Sequence, residues 1–276
     1  MRGAPTTYQG VPSLFDENAI ATPQRLSRLL DNSEESLADR KGATITILRH
    51  GGSNPVLINR GQRHSRFFFM SRKAGEVQFT EGLAEEYFAK LQEIDGTVVD
   101  FLCHHIVLTF LLHGKKRIYK SDLSRAVIDR HDRLVPELIE IKRYAGDLRD
   151  DDYKEKLAAV REICRTIGWR FRVMARKDVF PTKYMQRNVE ALFGRRNAKL
   201  NAEELLIVQE IMNAGLPIHW GELSRSVSPR DVRHGDAVVE TLIARGCFLT
   251  DFRKHFNERT KLRPNASRPS PSPIRI

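Results

Sequence analysis

Hydrophobic and polar positions alternate along "ATITIL" (43–48), and a period of two predicts a strand there. The polar stretch "SRKAGEVQFTEG" (71–82) leads into a helical pattern in which Leu83, Tyr87, Phe88 and Leu91 recur on one stripe. "TVVDFLCHHIVLTFLL" (97–112) is apolar enough for one or two β segments. The turn "HGKK" (113–116) and a strand through Ile118 and Leu123 follow. "AVIDRHDRLVPELIEI" has the pattern of strand, charged hairpin tip and strand. A helix over about 151–167 would bury Leu157, Val160, Cys164 and Ile167 and end at Gly168, before a further strand in "WRFRVMA" (169–175). Helix, several strands, helix and strand is the order of an α/β core with a mixed sheet.

The pattern changes after the basic, polar "GRRNAKLN" (194–201). Helices are predicted over 202–214, 220–227 and 235–245, then Gly246 and a strand-like "CFLTDF". Three short helices closed by a strand or hairpin match a winged-helix pattern. From Lys261 the chain is rich in Pro and Ser, with four basic residues and no acid, which predicts a disordered tail. The expected organisation is therefore an arm (1–40, with a short helix at Pro23–Leu30), an α/β core (41–193), a winged-helix-like α domain (194–262) and a basic tail (263–276).

Charge narrows the choice of partner. The 276 residues carry a net charge of +11; residues 1–40 hold four Arg against six acids, so the remainder carries +13. A basic body points to a polyanion, nucleic acid before a membrane surface. No apolar run approaches the roughly 18 residues of a spanning helix, and the first ten residues have no signal-type apolar segment. Cys103, Cys164 and Cys247 lie far apart without a CxxC pair, which argues for reduced cytoplasmic thiols and against zinc.

Candidate chemistry centres on "ELIEIKRY" (137–144). Alternate side chains share a strand face, so Glu140 and Lys142 point the same way among residues that favour burial. One reading is an ion pair on the exposed face of an edge strand. The other is half of a metal-dependent phosphodiesterase site, which needs further acids. Asp122 in "RIYKSDLS" and Glu85 in "EGLAEEYFAKLQEID" can supply them. Carboxylates are the hard oxygen ligands that Mg²⁺ or Mn²⁺ takes, and a Lys two residues beyond one can orient water or neutralise a scissile phosphate.

A helix Glu, then Asp, then ExK on adjacent strands is the pattern of restriction-endonuclease-like nucleases. "FFFMSRKAGEVQFTEGLAEEYFAKLQEIDGTVVDF" (67–101) resembles the TnsA endonuclease subunit of heteromeric transposases. Ser71-x-Lys73, Glu81 four residues before Glu85, and Asp95 ahead of "VVDF" carry the likeness. It continues through the Asp and ExK strands and through "YKEKLAAVREICRTIGWRFRVMARKDV" (153–179), then more weakly to about residue 263. The resemblance implies Glu85, Asp122, Glu140 and Lys142 as the catalytic set, with Asp122, Glu140 and Glu85 on Mg²⁺ (Mn²⁺ substituting) and two ions per site. It implies double-stranded DNA at transposon ends, a TnsB-like transposase and a TnsC-like AAA+ regulator as partners, the last through the C-terminal domain. The implied activity is cleavage of the 5′ strand during excision, in a bacterial, nucleoid-associated setting. Two departures stand out: Ser121 where the family commonly has Pro, and His104-His105 where it commonly has Gln-Pro.

Blander readings compete at other positions. Glu81 and Glu86 are rivals to Glu85, and Glu81, one helical turn before it, could instead be a supporting acid or a ligand of the second ion. His104 and His105 face opposite ways on a strand, which suits packing for one and a polar contact for the other. "DRHDR" (129–133) suits a charged hairpin tip better than a metal knot. Arg176 and Lys177 suit either DNA phosphates or a solvated loop. The competing functions are a non-catalytic adaptor bridging DNA, transposase and regulator, and a stand-alone restriction- or resolvase-type nuclease.

Overall fold

The computed structural model describes residues 43–47, 65–75, 77–129, 131, 133–142 and 149–266. The arm 1–40, its short helix and the tail beyond 266 lie outside them. By internal packing the chain divides into two units. The first runs to Ala89 and resumes over Val98–Val179; the second takes Lys90–Thr97 and the chain from Phe180.

The first unit is a mixed α/β core. Strands β1 (Thr44–Ile47), β5 (Ile106–Leu112) and β6 (Lys115–Lys120) form one antiparallel sheet, and β2 (Arg66–Met70) pairs with β3 (Val77–Glu81). A four-stranded sheet has the order β4 (Val98–Cys103), β7 (Leu123–Ile128), β8 (Leu134–Lys142), β9 (Arg170–Ala175), and the short helix α3 (Arg176–Val179) directly follows β9. Its first two pairings are antiparallel and β8–β9 is parallel, which requires the crossover helix α2 (Asp151–Thr166). The Asp150 carboxylate caps α2 by accepting from Asp152 N and Tyr153 N, and Gly168 at φ +78 ends the turn that follows. Leu157, Val160, Ile163 and Cys164 of α2 pack on Leu138 of β8 and on Ile106, Leu108, Phe110 and Tyr119 of the three-stranded sheet.

Several expectations need correction. "VQFTE" is strand β3, so Glu81 ends a strand and does not lie one helical turn before Glu85. Helix α1 (Leu83–Ile94) buries Tyr87, Phe88 and Leu91, but Leu83, at its first position, is 60% exposed. The apolar run 97–112 does form two strands, one of the two outcomes expected of it, but they lie in different sheets and break at His104–His105. Most importantly, β8 is interior, and Glu140 is only 4% exposed. The edge-strand reading fails because β9 follows far along the chain and covers β8 from Glu137 onward. Pro136, which lacks a ladder donor, sits just outside that paired stretch.

In the second unit, α4 (Lys183–Arg195) is capped by Thr182, and α5 (Ala202–Ala214) by a reciprocal Asn201–Glu204 box. Helices α6 (Trp220–Val227) and α7 (Val232–Ala244) approach closely: a Cβ on Gly235 would sit 2.4 Å from Ser224 O. Strands β10 (Ile218–His219), β12 (Lys261–Pro264) and β11 (Phe248–Leu249) form a small antiparallel sheet. Residues 261–266 are thus structured where composition predicts a tail. The buried Asn265 amide holds them by donating to Gly96 O and Gly246 O at 3.0 and 2.9 Å. Among the described residues no helix is long and apolar enough to cross a membrane.

Candidate active site

Two chain crossings between the sheets build the site. At His104–His105 the chain leaves β4 for β5, and at Ser121–Asp122 it leaves β6 for β7. The crossings are stitched together: His104 N donates to Asp122 O and Ser121 N to Ile106 O, both at 3.0 Å. Strand β7 begins opposite Ile139, so Ile141, beyond that register, gives its N–H to a side chain. Asp122 Oδ2 accepts it at 2.6 Å, between Glu140 and Lys142. Three of the four residues singled out from sequence therefore meet at one corner of the sheet.

Glu140 is the pivot. Its Oε1 accepts from both Lys142 Nζ and the Tyr153 hydroxyl. Its Oε2 is buried, and so is the Tyr119 hydroxyl, which lies close enough to the same carboxylate for Glu140 to raise its pKa. Lys142 Nζ also lies 4.6 Å from the centroid of the Tyr153 ring, within cation–π range. Glu85 reaches the same region from α1. Its Oε2 accepts from Glu81 N at 2.9 Å and lies 3.1 Å from His104 Nε2. This is the polar contact expected of one of the two histidines; the other, His105, is fully buried. His104 makes its contact from φ +53, a strained conformation for a non-glycine residue.

The charges respond to this crowding. Burial, then the Glu140 and Glu85 carboxylates, raise the Asp122 carboxyl well above its usual range, against the Ile141 N–H and Lys142. Burial pulls the Lys142 ammonium down, but Glu140 outweighs it and the net shift is upward. Burial likewise raises the Tyr119 hydroxyl and the Cys103 thiol, with Glu140 next for the former and Glu85 for the latter. Cys103 is thereby kept protonated and unsuited to nucleophilic work. Lys120 is lowered by burial, against the pull of Glu81, Asp122 and Glu85.

Among the described residues no three His, Cys, Asp or Glu side chains converge closely enough to hold an ion by themselves. The donor chemistry nevertheless fits Mg²⁺, which is commonly bound by one or two carboxylates with water and substrate phosphate completing the shell. Asp122 and Glu140 are close enough to repel one another, so a cation between them would relieve both. At the hairpin tip, Asp129 accepts from His131 N and Arg133 N and pairs with the Arg133 side chain, as a charged turn does. Tyr153 escaped the sequence reading. Its one signal was its place at the start of the α2 stripe, four residues before Leu157.

Residues 95–176 match the model of the family described as TnsA-like endonuclease N terminal. The matched stretch is similar to that endonuclease domain and contains Asp122, Glu140, Lys142 and Tyr153; Glu85, residues 67–94 and the chain from residue 177 lie outside it. The resemblance drawn from the sequence is thus supported independently across the Asp and ExK strands. A search of curated proteins found no match.

Proposed function

We propose that this protein is a Mg²⁺-dependent DNA endonuclease of restriction-endonuclease-like fold that cuts the 5′ strand at transposon ends, beside a TnsB-like transposase that makes the 3′ cut and the joining. One observation carries the reading. Asp122 takes the backbone N–H between Glu140 and Lys142, which gathers two mutually repelling carboxylates and an ammonium inside the TnsA-like stretch.

Asp122 and Glu140 would hold the metal, with Glu85 as a third acid from α1 that provides for a second ion. Bound Mg²⁺, or Mn²⁺ in its place, polarises a phosphoryl oxygen and lowers the pKa of its water. Lys142, held charged by Glu140, sets positive charge beside the scissile phosphate. His104 orients Glu85, and its backbone N–H fixes the carbonyl of Asp122. The succession of α5, α6, α7 and a small sheet supports a winged-helix-like module that docks on a TnsC-like AAA+ regulator. Such a protein would work on the nucleoid in the bacterial cytoplasm. The Glu–Asp–Glu–Lys set argues against a purely bridging adaptor, which has no need of it.

The test is a nicking assay on strand-labelled transposon-end duplex with Mg²⁺, with and without the transposase. Cleavage confined to the 5′ strand and abolished by EDTA is expected. Binding without cleavage in both conditions would favour the adaptor. Cutting that ignores the ends would favour a stand-alone nuclease.

A further inference from the structure

Tyr153 touches both members of the Glu140–Lys142 pair, through two different parts of its side chain. Its hydroxyl donates to Glu140 Oε1, and its ring face lies 4.6 Å from Lys142 Nζ. The residue stands in the first turn of α2, where the Asp150 carboxylate accepts from its own N–H. Helix capping, side-chain hydroxyl and ring contact therefore fix it at once. With Lys142 also on Oε1, that oxygen carries two donors, while Oε2 is buried near the Tyr119 hydroxyl and the carboxylate crowds Asp122, whose pKa it raises. A carboxylate with one oxygen occupied by two donors has its rotation restricted, and restricted ligands bind ions better.

We infer that Tyr153 is a positioning residue of the site: its hydroxyl fixes the orientation of the Glu140 carboxylate beside Asp122, and its ring holds the Lys142 ammonium against Oε1. The inference rests on the metal-site reading above. It adds a residue from the crossover helix to a constellation otherwise built on strands and α1. The ring also packs against the core, so ring removal would damage folding as well as the site. Removing the hydroxyl alone separates the two roles.

The experiment compares the full-length protein with Tyr153→Phe. MnCl₂ is titrated calorimetrically without DNA, nicking of supercoiled plasmid is followed against MgCl₂ concentration, and thermal unfolding is recorded. Tyr153→Phe is expected to weaken Mn²⁺ binding about ten-fold and to raise the Mg²⁺ needed for half-maximal nicking in parallel. The melting temperature should stay within a few degrees. Higher Mg²⁺ should restore most of the nicking rate, which a generally damaged fold would not allow. Mn²⁺ affinity equal to the parent's overturns the inference while leaving the nuclease reading untouched. So does a loss of affinity accompanied by a large drop in melting temperature. If the parent binds Mn²⁺ but never nicks, the nuclease reading fails and the binding comparison still decides the role of Tyr153. A parent that binds no Mn²⁺ removes both.

Discussion

The imidazole Nε2 of His104 lies 3.1 Å from Glu85 Oε2, while the backbone N–H of the same residue donates to the carbonyl of Asp122. One residue thus ties the acid of α1 to the acid of the β6–β7 crossing, and it does so from φ +53. An alanine at this position keeps the strain and loses the imidazole, whereas a glycine loses both. Both variants should cut more slowly than the parent by similar factors. His104→Gly should exceed His104→Ala in unfolding free energy by about 1 kcal/mol. Urea denaturation and nicking rates check this, and equal stabilities would show that the backbone is not strained there.

Asp122 is expected to be required for cleavage and to oppose folding. Its carboxyl is raised within the fold, first by burial and then by Glu140 and Glu85. The folded state therefore holds the proton more tightly than the unfolded one. That contribution is fully present below the ordinary Asp value near 4 and is lost as pH rises through the folded value. At pH 8, far above the ordinary Asp value, this carboxyl destabilises the protein. Asp122→Asn should raise the melting temperature by a few degrees there, while nicking falls by about 10³-fold or more. Substantial nicking by the purified variant at millimolar Mg²⁺ would remove Asp122 from the site.

Lys142 has a different role, which binding and catalysis should separate. Lys142→Ala takes an ammonium from Glu140 Oε1 and leaves the Tyr153 hydroxyl there. Cleavage should be lost while Mn²⁺ binding persists, because a cation competitor has gone and both carboxylates proposed to hold the ion remain. Calorimetry showing the ion lost with Lys142 and kept without Asp122 would reverse the two assignments.

His105 gives a pH signature of the fold itself. It is fully buried, both ring nitrogens lack partners among the described residues, and burial lowers its pKa to about 4. The unfolded chain takes up a proton near pH 6.5, but the folded one does so only near 4. The stability it contributes is present above 6.5 and is lost as pH falls through that window. Between pH 7.5 and 5 the loss is about 2 kcal/mol. His105→Leu should be close to neutral at pH 7.5 and should flatten the decline measured by urea midpoints. An unchanged slope would place the acid sensitivity elsewhere.

What could be read from the chain depended on range. The β7–β8 hairpin was legible because its alternation and its charged tip are local. So were Asp122, Glu140 and Lys142, which sit on that hairpin and the crossing before it. Strand β3 was missed because "VQFTE" is short, and its partner β2 lies across a polar turn. The burial of Glu140 was missed for a stronger reason. It comes from β9 and α2, and no pattern within residues 137–144 encodes a strand that pairs from 170 onward. Tyr153 was illegible on the same ground: a tyrosine on an apolar stripe looks like core until the helix is laid over Glu140.

On the proposed reading, the second unit tests which part of this basic protein would meet DNA. Helix α7 would be the recognition helix of a winged-helix module. Yet Gly235, Val238, Val239, Thr241, Leu242, Ile243 and Ala244 are buried within the unit. Most of the charges after its first turn are engaged: Asp236 accepts from Trp220 Nε1, Glu240 pairs with Arg195, and Arg245 at its end donates to Ala198 O. A helix so occupied offers few cations to phosphate; Arg230 and Arg233, before and within its first turn, are the exposed ones. In the first unit, Arg176 and Lys177 are exposed directly after β9. Each phosphate contact contributes about 0.9 to the slope of log K against log salt. The double substitution Arg176→Glu, Lys177→Glu in the full chain should therefore flatten that slope by about two. Arg230→Glu with Arg233→Glu should leave the slope unchanged and weaken binding to the AAA+ regulator. Fluorescence anisotropy with a transposon-end duplex between 0.05 and 0.3 M salt measures the first effect, and a pull-down with the purified regulator measures the second. If the Arg230/Arg233 pair carried the slope and left regulator binding intact, the C-terminal unit would be the DNA-reading module.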